Sequence, residues 1–172
     1  KKLASDALGL SDIGKIIDKK DFNKVDADDY IMHEDGEQIF FLIKSRTDEY
    51  CFTNLALIHV DGTSAVSKKR LVTRYDYYKN TIRDVAIETA GTIDLDCEIK
   101  FVIGETGFSI DVDRNQIEQL KDLYKSLIRI SHIIDENDIM LSKSEETLKI
   151  AASACASSKV VEGTCAQRWK PK

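Results

Sequence analysis

The sequence predicts an α+β domain: a partly open antiparallel β-barrel or sandwich closed by a helix that follows the strands. Three observations predict it. From Thr92 to Phe101 polar and apolar residues alternate without a fault, Ile93, Leu95, Cys97, Ile99 and Phe101 on one side and Asp94, Asp96, Glu98 and Lys100 on the other. That is the period of a half-buried antiparallel strand. The apolar runs before it are short and rich in β-branched and aromatic residues, and the apolar residues after it recur at helical spacing.

Taken in order, residues 1–36 form an acidic segment punctuated by Asp-rich turns. Ile13, Ile16, Ile17, Phe22, Val25, Tyr30, Ile31 and Met32 are often spaced by threes and fours, which predicts short helices or turns lying over the sheet. Strand signals follow at 38–44, 50–60, 69–78, 82–89, 94–103 and 107–112, separated by turns such as Asp61-Gly62 and Gly104-Glu105-Thr106-Gly107. Six strands at this spacing imply a sandwich or open barrel. Asp113 and Gln116 form a capping-box-like start, and Ile117, Leu120, Leu123, Tyr124, Leu127, Ile128 and Ile130 make the apolar face of the closing helix. Asp135 to Asp138 interrupts that pattern, and Ser142 with Glu145 opens a second helical stretch through Leu148, Ala151, Ala152 and Cys155. The resulting division is 1–36, an N-terminal helical and turn segment; 37–134, the β domain with its helix; and 135–172, a helical C-terminal extension.

A chain of 172 residues with 42% hydrophobic content can bury a proper core. Its net charge of -5 argues against nucleic acid and disfavours anionic membrane headgroups as partners. The longest purely apolar run, Ile39 to Ile43, is too short to span a bilayer, and no secretory leader is recognised. Cys51, Cys97, Cys155 and Cys165 lack metal-finger or disulfide-framework spacing, so reduced thiols in the cytoplasm are expected. The chain starts at Lys1 without methionine and ends at Pro171-Lys172 soon after Trp169, the ends of a trimmed or partial chain.

Chemistry is sparse. Asp94, Asp96 and Glu98 share a strand face, but hydrolysis needs carboxylates opposed across a substrate, and a metal usually takes ligands from more than one element. They read as a solvated face. His33, His59 and His132 lie in different elements with no ligand spacing, and the eight glycines form no phosphate loop. No catalytic residue, metal site or cofactor is expected. One basic group stands out: Lys44 and Arg46 end one strand while Lys68, Lys69 and Arg70 begin another, with Arg74 farther on. Brought together, these would form an anion-binding mouth.

With these elements laid out, several words carry a family resemblance: Thr53-Asn54, Leu57-Ile58-His59-Val60-Asp61, Lys68-Lys69, Ile82, Glu88-Thr89-Ala90-Gly91 and Asp94-Leu95-Asp96-Cys97-Glu98-Ile99-Lys100. Over roughly 37–134 the chain resembles the bacterial pleckstrin-homology domain family, notably its YvbH-like members. Leu55-Ala56, Ser67 and Asp76-Tyr77-Tyr78 depart from the family's usual Lys-Arg pair, glycine and Ile-Pro-Tyr turn. The resemblance implies a PH-like barrel capped by one helix, no catalytic activity, and self-assembly assisted by the segment after Ile134. Lipid binding is not implied, because fold alone does not fix function.

Three function classes follow. The first is a non-catalytic cytoplasmic interaction or scaffold domain that forms homo-oligomers or takes a protein partner, with Leu148, Ala151, Ala152 and Cys155 as oligomerisation residues. The second is a binding module for phosphate-bearing or lipid-headgroup anions through Lys44, Arg46, Lys68, Lys69 and Arg70. A hydrolase working from Asp94, Asp96 and Glu98 ranks last.

Overall fold

The computed structural model describes residues 13–62, 70–91 and 95–157. Within unit 1, which ends at Ile134, strands β1 (Lys15–Ile16), β2 (Ile39–Lys44), β3 (Glu49–Thr53), β4 (Ala56–Asp61) and β5 (Leu71–Asp76) form an antiparallel sheet in that order. A second antiparallel sheet holds β6 (Ile82–Glu88), β7 (Asp96–Ile103) and β8 (Thr106–Asp113). Helix α1 spans Ile117–Ser157. The α+β sandwich expected from the sequence is therefore present.

The main core lies between the sheets and the first turns of α1. Ile43, Phe52, Leu57, Cys97, Ile99, Phe101, Ile110 and Val112 meet Leu120, Leu123 and Leu127 there. An aromatic seam crosses it: Phe101 stacks on Phe108 with ring centroids 5.0 Å apart, while Phe52 meets Phe101 and Tyr75 meets Phe108 edge-on. Such geometry suits ring quadrupoles as well as burial.

A second, smaller core lies on the other face of the five-stranded sheet. Ile17, Val25, Ala27 and Ile31 pack there on Leu42, Cys51, Ile58 and Val60. Val25, Ala27 and Ile31 come from a chain of 3-10 turns at Lys19–Lys24, Asp26–Tyr30 and His33–Asp35, in line with the expected short helical segments over the sheet.

Four expectations need correction. Residues 50–60 are two strands, because Thr53 turns the chain: its hydroxyl accepts from the backbone N–H of Leu55 and Ala56 at 3.0 and 2.9 Å. β7 begins at Asp96, so Leu95 is exposed rather than buried. Asp96 pairs with Asp113, where β8 ends, so the ladder stops short of Leu95, whose carbonyl accepts from the Arg114 N–H at 3.2 Å while its side chain is left in water. Ile93 and Asp94 lie outside the described residues.

The capping box is only half formed. Asp113 accepts from the Asn115 N–H at 2.9 Å, but Gln116 reaches away, its amide accepting from the Ile16 N–H at 2.8 Å and donating to the Ile16 carbonyl at 2.9 Å. The Asp113 N–H is already taken by the Gly14 carbonyl at 3.0 Å. Gly14 also donates to the Asp111 carbonyl at 2.8 Å, so residues 14–16 bond to β8 on one side and β2 on the other. A Cβ at Gly14 would lie 2.7 Å from the Ile43 side chain, and only glycine fits.

The fourth correction concerns 135–138. The sequence pattern breaks there, yet the helix does not. Asp, Glu and Asn interrupt an apolar stripe without removing a backbone donor, whereas Pro would break the helix itself.

Candidate functional site

The five basic residues singled out in the sequence are not all available to a ligand. Lys44 is buried and its ammonium is paired with the Glu49 carboxylate, itself 2% exposed. Glu49 also accepts from the N–H groups of Asp26 and Ala27, at 3.2 and 2.7 Å. Lys44 thus serves to hold the N-terminal turns on the sheet. Arg46 is exposed in the β2–β3 turn. Arg70 is half-buried, 3.9 Å from Asp26, and its guanidinium lies against Gly62, which also abuts the Thr47 carbonyl. Arg46 and Arg70 therefore belong to the same end of the sheet, while Lys68 and Lys69 fall outside the described residues. Arg74 is bound by Glu37 at 3.0 Å and Asp76 at 2.6 Å.

That end of the sheet also carries acid. His59 stacks on Tyr50, with centroids 4.5 Å apart, and its Nε2 lies 3.2 Å from Asp48. Burial pushes the Tyr50 hydroxyl up to about 12, helped by the charges of Asp48, Asp61 and Asp111. Burial also works to raise Asp48, but hydrogen bonds from His59 and Thr47, with the charges of His59 and Arg70, bring it below the usual carboxylate value. An incoming anion would meet these carboxylates.

The carboxylates of β7 lie on one sheet face, with Glu98 opposite Asp111 and Asp96 opposite Asp113. Glu98 bonds to Lys100 and to the Ser109 hydroxyl, which hold its carboxyl low, while burial and the charges of Asp96 and Glu98 raise Asp111. The arrangement is a charged surface with an internal counterion. Among the described residues, no group of three His, Cys, Asp or Glu side chains is placed to hold a metal ion. His33 sits 3.1 Å from Asp28, a pair separate from that of His59 with Asp48. Cys51 and Cys97 are buried, and burial drives the Cys51 thiol far above its ordinary value, leaving it inert as a nucleophile.

In unit 2, which begins at Asp135, every described residue is exposed, including Leu148, Ala151, Ala152 and Cys155. Sequence reading missed Ile139, Met140, Leu141 and Ile150, which are 55% to 68% exposed. The signal was present in the spacing: Leu141, Leu148 and Cys155 recur every seventh residue, flanked by Met140, Ala151 and Ala154. It is legible only if the helix is taken as continuous. Within unit 1, an apolar groove of about 410 Å³ also opens between β2, β3 and α1. Among the described residues, no helix is long and apolar enough to cross a membrane.

Two stacked antiparallel sheets closed by a helix, with basic strand ends and no assembled catalytic group among the described residues, define a PH-like domain. The chain belongs to the bacterial PH domain family, whose model matches residues 7–131. It is 60% identical over 153 residues to the uncharacterized protein YvbH of Bacillus subtilis (strain 168), across 89% of this chain and 75% of that protein. A crystal structure of a PH-domain-containing protein from Exiguobacterium sibiricum 255-15 aligns at TM-score 0.75 with 53% identity, over 83% of this chain and 75% of that one. A DUF1696 family protein with a pleckstrin-homology domain from Shewanella loihica PV-4 shares the fold at TM-score 0.54 and 21% identity, over 69% and 97% of the respective chains.

Proposed function

We propose that this chain is a non-catalytic cytoplasmic scaffold domain that assembles with further copies of itself. Residues 37–134 form the domain proper in this reading, 1–36 its cover, and 135–172 the assembly segment. The observation that carries the proposal is the row of exposed apolar side chains on the helix of unit 2, led by Leu148 at 69% exposure. Large apolar residues left in water at heptad spacing are stabilised by another helix bearing the same seam, and closed symmetric assembly follows from identical copies. The cytoplasmic setting rests on the cysteines, since Cys51 and Cys97 are buried separately in the two cores and serve as small hydrophobes.

Sedimentation of the full chain, of its Leu148→Glu variant and of a version ending near Asp135 tests this. Assembly of the full chain at micromolar concentration, lost in both variants, is the expected result. A monomer in every case refutes assembly, and an equally large oligomer in every case moves it to the sheet edges. Anion binding is the weaker reading because Lys44 is committed to Glu49. Steep, salt-sensitive binding to anionic vesicles would promote it.

A further inference from the structure

The apolar face of the helix in unit 2 is built from two rows of different size. Counted in sevens, one row is Leu141, Leu148 and Cys155, and the row beside it is Asn137, Ser144 and Ala151. Residues three and four apart share a helix face, so the two rows form one seam. Every residue in it is exposed. Size and charge along this seam decide the direction in which a second copy can lie on it.

A second copy laid parallel and in register puts leucine on leucine at two levels, serine on serine at another and alanine on alanine at a fourth. The distance between two helix axes follows the side chains at the contact. The leucine levels would hold the helices apart where the Ser144 and Ala151 levels need them close. Laid antiparallel, the rows face each other: Leu141 meets the partner's Ala151, Leu148 the partner's Ser144, and Cys155 the partner's Asn137. Both leucine levels then set a large side chain against a small one, and a single spacing fills them all.

Charge points the same way. Asp135, Glu136 and Asp138 crowd the start of the segment with no base among them, whereas Ala154 to Ser157 carry no charge. A parallel pair brings six carboxylates within about one turn of two adjacent helices. In the antiparallel pair residues 135–138 face the partner's residues 154–157. The two acidic runs then lie about 28 Å apart along the axis, at about 1.5 Å per residue, well beyond the Debye length of about 8 Å at physiological salt. Glu145 and Glu146, at the middle of the seam, lie beside their own counterparts in either direction and do not discriminate.

We propose that the covering copy runs antiparallel, related by a two-fold axis that crosses the helix near Glu146. The proposal rests on the assembly reading above and gives it a direction and a register.

Disulfide trapping in the full chain tests it. Cys165→Ser leaves Cys155 exposed beside the buried Cys51 and Cys97, and Asn137→Cys is then added. Positions 137 and 155 lie about 27 Å apart on one helix, too far for a bond within one chain. After mild oxidation, peptide mapping of the covalent dimer is expected to join position 137 to position 155, and Cys165→Ser alone is expected to give no dimer through Cys155. A bond joining 155 to 155 or 137 to 137, or no bond in a chain that sediments as an oligomer, overturns the direction while leaving assembly intact. A chain that sediments as a monomer at the same concentration overturns the assembly reading, and the direction with it. Ala151→Leu is a second readout without thiols. Against the partner's Leu141 it overfills the level and weakens association about tenfold, and Leu141→Ala in the same chain restores it. Tighter association of Ala151→Leu, as a leucine level in a parallel pair would give, overturns the proposal.

Discussion

In the three-stranded sheet, β7 alternates buried and half-exposed residues along its whole length, Cys97, Ile99, Phe101 and Ile103 inward and Asp96, Glu98, Lys100 and Val102 outward. In the five-stranded sheet, consecutive residues Leu42 and Ile43 are both fully buried, one in the core under the N-terminal turns and the other in the core between the sheets. The three-stranded sheet has a wet face, whereas the five-stranded sheet is covered on both faces along β3 and β4. The difference lies in the cover, since residues 17–31 spread apolar side chains over the outer face of the five-stranded sheet. Covering that face also takes charges out of water. Glu49, Lys44 and Glu37 are buried there and survive because each is paired and hydrogen-bonded, whereas the charges of β7 remain at a solvated surface.

The sharpest test removes one charge from each sheet. Glu49→Ala leaves the Lys44 ammonium buried without its carboxylate and strips two backbone N–H groups of their acceptor. It should cost about 4 to 5 kcal/mol, the upper end for breaking a buried pair. Glu98→Ala, on the wet face, should leave the urea midpoint within experimental error. Equal losses in the two variants would erase the contrast between the sheets.

Phe101→Ala probes what the sheets share. The ring is 2% exposed and contacts Phe52 and Phe108, so about 3 kcal/mol should be lost, at the low end for buried aromatics because half-buried Phe108 can lean into the space. Chemical denaturation that registers no loss would show that the aromatic seam does not hold the sandwich together.

Acid should act on two carboxyls, Glu37 beside β2 and Asp111 on β8, in opposite senses. Burial alone would raise Glu37, but hydrogen bonds from Arg74, Thr53 and the Met32 N–H, with the Arg74 charge, hold its carboxyl below the ordinary value of 4.5. A lowered folded value means stability that is complete above the unfolded value and lost as pH falls through the folded one. The urea midpoint should therefore drop between about pH 5 and the folded Glu37 value, and Glu37→Gln should flatten that drop. Asp111 is the reverse case. Its carboxyl is raised by burial and by Asp96 and Glu98, so protonation relieves the folded state and Asp111→Asn should raise the midpoint slightly at pH 7. A Glu37→Gln profile as steep as the parent's would locate the acid response elsewhere.

The same contrast explains how much was legible in the sequence. β7 could be read residue by residue because a sheet with one wet face writes its pleat into the pattern. β3 and β4 could not be separated, because in a doubly covered sheet Cys51, Phe52, Leu57 and Ile58 are all buried and the period of two disappears. The turn between them depends on the Thr53 hydroxyl, a local signal too weak to stand out in that apolar run. Lys44 was read as a free cation because nothing in a one-dimensional pattern announces that Glu49, five residues on, returns beside it across a hairpin. The groove was illegible for another reason: its walls come from residues 40–54 and 123–130, which no spacing rule connects.

The bonds from Ile16 to Gln116 span 100 residues, and they set an order of events on the ribosome. At about 5 to 20 residues per second, roughly 5 to 20 seconds separate the synthesis of Ile16 from that of its partner. For nearly all of that interval Gly14 also lacks Asp111 and Val112, its partners on β8. Strand β1 is thus completed only long after it is made, and until then the outer edge of β2 is open to whatever other strand the cell presents.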